Sequence, residues 1–250
     1  MHAYDLNGTP HHWVPNKSRP GSNRPTTIRD LQDNRWLPSV TEVLNVLEKP
    51  ALVRWKVMQG VMAVVTAPDV PGEAIDAKIE RVLSQERQQD EESRIARELG
   101  TDIHDGLQSL IQGKQAPEEL RPWIEPPWFA LRENLDNVLA CEQVLVGDGY
   151  AGRCDLIAEG YGIDLLVDFK TAKKLPDPAK GSWPEHEKQL AAYALAYKRT
   201  QIFSKPVRTA NLYISTKEAG QFVLIANPNW EEQAQAFMHL LAYWRIENGL

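Results

Sequence analysis

Up to about residue 139 the apolar positions recur at helical spacing; beyond it they fall in short runs separated by turn residues. Val43, Leu44, Val46 and Leu47 follow Ser39 and Thr41. Either hydroxyl can cap a helix beginning near Val40, with Glu42 in its first turn and Pro50 as its breaker. Residues 52–66 read as a second helix, carrying Trp55. Residues 73–99 are helical in composition and heavily charged, with Ile75, Ile79, Val82, Leu83, Ile95 and Leu99 as the apolar stripe. Gly100 is expected to end that helix and Thr101 to start another, setting Ile103, Leu107, Leu110 and Ile111 on one side and His104 with Gln108 on a second. Residues 117–127 read as a connector, and 129–139 as a helix feeding the core.

The second half reads as strands around one long helix. Residues 142–146, 152–159 and 163–170 are apolar runs separated by Asp148-Gly149 and by Gly160-Tyr161-Gly162, which are turn sequences. A proline-rich loop over 173–183 leads into a helix over 185–199 whose Leu190, Ala194 and Tyr197 are expected to face the sheet. Strands over 211–215 and 222–226 join at Ala219-Gly220, and 229–247 closes the chain as a helix. The order α, β, β, β, α, β, β, α lets the long helix serve as a crossover between parallel strands, which gives an α+β chain with a mixed sheet flanked by helices. Residues 1–36, polar and punctuated by Pro10, Pro15, Pro20, Gly21 and Pro25, are expected to form an extended or partly disordered arm. The expected division is therefore arm 1–36, helical region 37–140 packed on the core, and core 141–250, all in one compact domain.

Composition narrows the class. With 250 residues, 42% hydrophobic and 25% charged, the chain can bury one full core and not two large ones. A net charge of −6 rules out a global basic field, so charge has to be read locally. Between Lys170 and Arg208 nine basic residues stand against three acidic ones, a local excess of six that could gather a phosphate backbone or simply solvate a helix face. Cys141 and Cys154 are too few for a disulfide framework and are expected to pack in strands as small hydrophobes. Without a membrane-length apolar run or a secretory pattern, the expected compartment is the cytoplasm, with no membrane partner. The adjacent His11 and His12 suit neither helical nor strand metal spacing.

The chemistry concentrates between Gly152 and Tyr193. Asp155 and Asp168 each stand in or at the end of an apolar run, where a free carboxylate is costly unless it binds a cation or another partner. In a strand Asp168 and Lys170 project to one side and Phe169 to the other. If Asp155 lies on the neighbouring strand, two carboxylates and an ammonium converge, which describes a divalent-metal site with a lysine beside it. Gln189 and Tyr193 fall one helical turn apart.

At these residues the chain resembles the PD-(D/E)xK nuclease superfamily, in its RecB-like exonuclease branch, which includes phage exonucleases and the mitochondrial genome maintenance exonuclease. Gly152-Arg153-Cys154-Asp155, Asp168-Phe169-Lys170-Thr171 and Gln189-Leu190-Ala191-Ala192-Tyr193 stand in that family's order. Pro38-Ser39-Val40-Thr41 and Gly100-Thr101-Asp102-Ile103-His104 look like two more of its blocks, so the resemblance covers roughly residues 37–250.

The resemblance implies a restriction-endonuclease-like core and a metal-dependent DNA exonuclease active in recombination, repair or replication, with a recombination or replication protein as a candidate partner. It implies Mg²⁺ or Mn²⁺ held by Asp155, Asp168, the Phe169 carbonyl and His104; hard oxygens suit the first ion and an added imidazole favours the second. Lys170 would orient or activate the attacking water, Gln189 and Tyr193 would position the phosphate or Lys170, and Glu142 would help orient water. Ser39, Thr41, Arg153, Thr171, Lys173 and Lys174 are the expected nucleic-acid contacts. Some relatives carry a four-cysteine iron–sulfur cluster, which two cysteines cannot supply. Helices ahead of the core would arch into a channel that selects free or single-stranded ends, with Trp36, Trp55, Trp123 or Trp128 offering faces on which bases stack. A non-catalytic DNA-binding or assembly module of the same fold, and a structure-selective endonuclease, stand as alternatives.

Overall fold

The structure, a computed structural model, describes residues 1–47, 50–89, 91–200 and 205–250, with the backbone alone at 50–52, 55–56, 85–89 and 91–93. It divides into two compact units, one made of Met1–Val46 with Gly100–Leu250 and the other of Leu47–Leu99. The expected boundaries at 36 and 140 are therefore replaced by boundaries at 46 and 100.

The first 46 residues are not a loose arm. β1 (Ala3–Tyr4), β2 (Trp13–Pro15), β3 (Asn23–Pro25), α1 (Ile28–Asn34), β4 (Leu37–Pro38) and α2 (Val40–Leu44) follow in order. β1 pairs with β4 and β2 with β3, and Tyr4, Leu37 and Ala151 form an apolar cluster against which Val144 and Val146 pack. Prolines and glycines in this stretch shape turns between very short strands, whose stability comes from partners remote in sequence. His11 stacks on Trp36 with ring centroids 4.1 Å apart, and His12 stacks on His2, so both histidines have packing roles.

The smaller unit contains α3 (Pro50–Thr66) and α4 (Ile75–Gln89) and the start of α5 (Glu91–Ile111). The side chain of Trp55 lies outside the described residues. Gly100 does not end a helix as expected but sits within α5. A β-carbon there would come 2.6 Å from Thr171 Oγ1, so the glycine permits a close approach instead of a stop.

The proline-rich stretch also departs from expectation. α6 (Arg121–Arg132) runs through Pro126 and Pro127, because Pro122 suits a first turn and Ile124, Trp128 and Leu131 bury one face. Residues 129–139 are accordingly not one helix, and β5 (Asn137–Val146) begins five positions earlier than expected.

β5 continues into β6 (Ala151–Gly160), β7 (Ile163–Ala172), α7 (Pro184–Thr200), β8 (Val207–Ser215), β9 (Phe222–Ala226) and α8 (Trp230–Glu247). The five strands form one sheet in chain order, antiparallel except for the parallel β7–β8 pair, and α7 supplies the crossover between those two. This is a mixed-sheet α+β architecture, as the pattern predicts. Leu190, Ala194 and Tyr197 are buried in α7 as expected, together with Gln189, Ala191, Ala192, Tyr193 and Ala196. α8 lies beside α7; Phe237 packs edge-on to Tyr150, and Trp230 Nε1 donates to the Val207 carbonyl. Cys141 and Cys154 are both free thiols. No helix among the described residues is long and apolar enough to cross a membrane.

One irregularity positions everything that follows. β6 and β7 pair from Gly160 opposite Ile163 as far as Leu156 opposite Val167, whereas β7 stays paired with β8 out to Ala172. The last residues of β7 thus run on beyond their β6 ladder, opening a fork in the sheet.

Candidate active site

At the fork, alternate side chains of β7 serve two different helices. Asp168 and Lys170 lie on the side covered by α7, and the Lys170 ammonium stands 2.6 Å from Asp168 Oδ2. Gln189 of α7 donates to Asp168 Oδ1 at 3.3 Å and to the Tyr193 hydroxyl at 3.0 Å. Phe169 and Thr171 point the other way, where His104 packs edge-on to Phe169 and Gly100 meets Thr171. The strand alternation read from the sequence is what the structure contains.

Asp155 closes the fork. One register step beyond the last β6–β7 pair, its Oδ2 accepts the Phe169 N–H at 2.6 Å, so a carboxylate replaces the ladder bond that the strands no longer make. The His104 Nδ1 lies 3.9 Å from the same oxygen. Burial first, and then the neighbouring Asp168, push the Asp155 carboxyl well above the usual carboxylate range, against the opposing pull of Lys170. For Lys170, burial acts downward, but the fields of Asp168 and Asp155 outweigh it and hold the ammonium above its ordinary value. His104 is shifted down, by burial and then by Lys170, which favours the neutral imidazole with a lone pair to offer.

Glu142 belongs to the same row. The β5–β6 register sets Cys141 opposite Leu156 and Gln143 opposite Cys154, so Glu142 falls across from Asp155. It adopts a left-handed backbone, φ 56°, rare for a residue with a side chain, and its carboxylate holds Arg153 Nε at 2.8 Å. Its carboxyl is also raised, by burial and by Asp105 and Asp168, with Arg153 opposing. Glu142, Asp155 and Asp168 therefore act on one another through a shared electrostatic field. Among the described residues no group of three or more His, Cys, Asp or Glu side chains is drawn into a ready metal cage.

The remaining expected residues divide. Ser39 is buried, and its hydroxyl accepts the Glu42 N–H and meets the Thr41 hydroxyl, which makes it a helix cap; Thr41 is exposed. Arg153, Lys173 and Lys174 are exposed and Thr171 is half-buried. The basic run is not one patch: Lys198 lies over the Trp230 ring, Arg199 reaches Asp148 and Lys205 pairs with Glu159. Trp128 is buried and fills the core.

One participant was not visible in the sequence. Asn211 of β8, fully buried and paired with Asp168, donates to Asp168 Oδ2 at 3.3 Å, and Asn227 Nδ2 in turn donates to Asn211 Oδ1 at 2.8 Å. A buried asparagine inside the apolar run 207–215 is the signal that could have found it, since such a group needs partners. For Gly152, quoted from the sequence as the start of its block, the structure supplies the reason: the Tyr193 ring lies so close that no side chain fits.

No family model and no curated protein matches the chain. Among solved structures the chain is similar to one titled "Crystal structure of SSO0001", at 16% identity and a TM-score of 0.31, over 81% of this chain and 75% of that one.

Proposed function

We propose that this protein is a metal-dependent deoxyribonuclease of the PD-(D/E)xK type, acting as an exonuclease on free or single-stranded DNA ends. The observation that carries the reading is the fork at the end of β7, where Asp155, Asp168, Lys170, His104 and Gln189 meet although they come from four elements, α5, β6, β7 and α7. The strand–helix order around the sheet supports a restriction-endonuclease-like core.

The donor set fits a hard divalent cation. Burial and the adjacent Asp168 raise the proton affinity of the Asp155 carboxyl, a cost that such an ion would relieve, and the His104 imidazole stands 3.9 Å from Asp155 Oδ2. Asp155 and Asp168 would hold Mg²⁺ or Mn²⁺, with His104 and the Phe169 carbonyl as further donors. When bound, the ion would neutralise charge on the phosphoryl group and make water a better nucleophile.

The chain's own residues carry the other tasks. Lys170, kept protonated by its acidic neighbours, is suited to offset developing negative charge and not to accept a proton. Gln189 fixes the orientation of the Asp168 carboxylate, and Tyr193 acts through Gln189. Arg153, Lys173 and Lys174 offer exposed cations for the DNA backbone.

Purified protein incubated with end-labelled linear and circular DNA, single- and double-stranded, tests the reading in Mg²⁺, Mn²⁺ or EDTA. Linear single strands are expected to be degraded to short products only with metal, and circles to survive. No hydrolysis of any substrate in either metal would overturn the nuclease reading. Equal digestion of circles would replace the exonuclease with an endonuclease.

A further inference from the structure

We propose that Trp183 is a stacking platform for a nucleobase beside the phosphate held at Lys170, a proposal that rests on the nuclease reading above. Trp183 is the last residue before α7, the helix whose Gln189 holds Asp168. Its backbone N–H donates to the Tyr213 hydroxyl at 3.2 Å, and His186 Nδ1 lies 3.0 Å from the same oxygen. Tyr213 is fully buried in β8 and is the register partner of Lys170 in β7. The backbone of Trp183 is thereby tied to the strand position facing the site lysine.

The ring is fixed as firmly as the backbone. Trp183 meets Tyr213 at 5.3 Å and 73°, and His186 at 5.2 Å and 59°, so two aromatic neighbours brace it. It nonetheless remains 38% exposed. An indole braced on two aromatic neighbours has already lost rotamer freedom, so a flat ligand can cover its exposed apolar area at little further entropic cost. The ligand chemistry follows from the neighbour. An ammonium that attracts phosphate stands on the paired strand, and a nucleotide is the ligand that presents an anionic phosphate and a flat aromatic base on one short linkage. Every base has such a face, so the subsite tolerates sequence.

Binding measured in EDTA by fluorescence anisotropy tests this, with a short labelled oligothymidylate and an abasic strand of the same length as probes. Wild-type protein is expected to bind the oligothymidylate roughly 5- to 150-fold more tightly than the abasic strand, the range of one base–aromatic stack. Trp183→Ala should remove most of that difference and leave affinity for the abasic strand unchanged, while Trp183→Phe should retain part of it. Unchanged oligothymidylate binding by Trp183→Ala, or an equal loss for both strands, would overturn the proposal. If Trp183→Ala fails to fold, Trp183→Leu, which keeps apolar bulk without a π-face, carries the same test. Because no metal is present, absence of hydrolysis in the separate nuclease assay would sink the nuclease reading while leaving this result standing.

Discussion

The ring of Tyr193 occupies the space that a side chain at position 152 would need: a β-carbon on Gly152 would lie 2.4 Å from Tyr193 Cε1 and 3.2 Å from Val40 Cγ2. Gly152→Ala should therefore destabilise the fold by about 1–3 kcal/mol, the usual cost of overpacking. Denaturant unfolding measures this. Combining it with Tyr193→Leu should cost less than the two changes summed, since the ring is the obstacle; strict additivity would mean that the strain lies elsewhere.

Lys170 and Asp168 form an ion pair whose carboxylate side chain is only 2% exposed. From the sequence, replacing Lys170 removes charge neutralisation and leaves the fold largely intact. The structure changes that expectation: Lys170→Met should abolish hydrolysis and also lower stability by about 3–5 kcal/mol, because it strands a buried carboxylate. The companion Asp168→Asn, which retains hydrogen-bonding capacity, should abolish activity at a smaller stability cost. A Lys170→Met protein that cleaves DNA at the wild-type rate would remove Lys170 from the site.

Asn211 and His104 should separate by metal. Asn211→Ala leaves Asp168 and Asn227 each short of a partner, at about 1–3 kcal/mol, and should raise the concentration of either metal needed for half-maximal activity. His104→Ala should weaken the Mn²⁺ response more than the Mg²⁺ response, since imidazole contributes more to the former. Unmoved metal titrations would mark both residues as structural.

Acid stability should report the N-terminal segment. Asp30 takes both guanidinium nitrogens of Arg24, at 2.6 and 2.8 Å, and accepts from the Thr27 N–H and hydroxyl. The Arg24 contact, foremost, holds its carboxyl far below the usual carboxylate range. A depressed folded-state value contributes stability that is fully present above the unfolded value, about 4, and is lost as the pH falls below it. Thermal midpoints of wild type and Asp30→Ala should accordingly differ at neutral pH and converge toward strongly acidic pH. A constant difference would assign the effect to packing.

β6, β7 and β9 were legible because apolar runs bounded by Asp148-Gly149, Tyr161-Gly162 and Gly220 encode both their length and their turns, whereas β8 begins at Val207, four residues ahead of the expected 211, because Arg208 and Thr209 interrupt its apolar run. Asp155, Asp168, Lys170, Gln189 and Tyr193 were legible for a related reason, being ionisable or amide groups at fixed spacing within buried segments. What escaped depends on distant partners. The start of β5 escaped because it is an edge strand whose Val138 and Leu139 remain exposed, so it lacks a one-sided pattern. α6 escaped because its prolines outweighed its apolar face. Gly100 read as a helix stop because only Thr171, far along the chain, shows what the missing side chain is for. The arm read as loose because Tyr4 finds Leu37 and Ala151 only in three dimensions.

The fork between β6 and β7 also leaves the molecule with a built-in reporter. The Phe169 amide hydrogen is shared with a side-chain carboxylate and not with a neighbouring strand, so its magnetic resonance frequency and solvent exchange depend on the state of Asp155. Any ion or phosphate that draws on that carboxylate will register on one backbone signal, separable from the interstrand amides around it. Occupancy of the site can thus be followed spectroscopically in the intact chain, without a substrate being turned over.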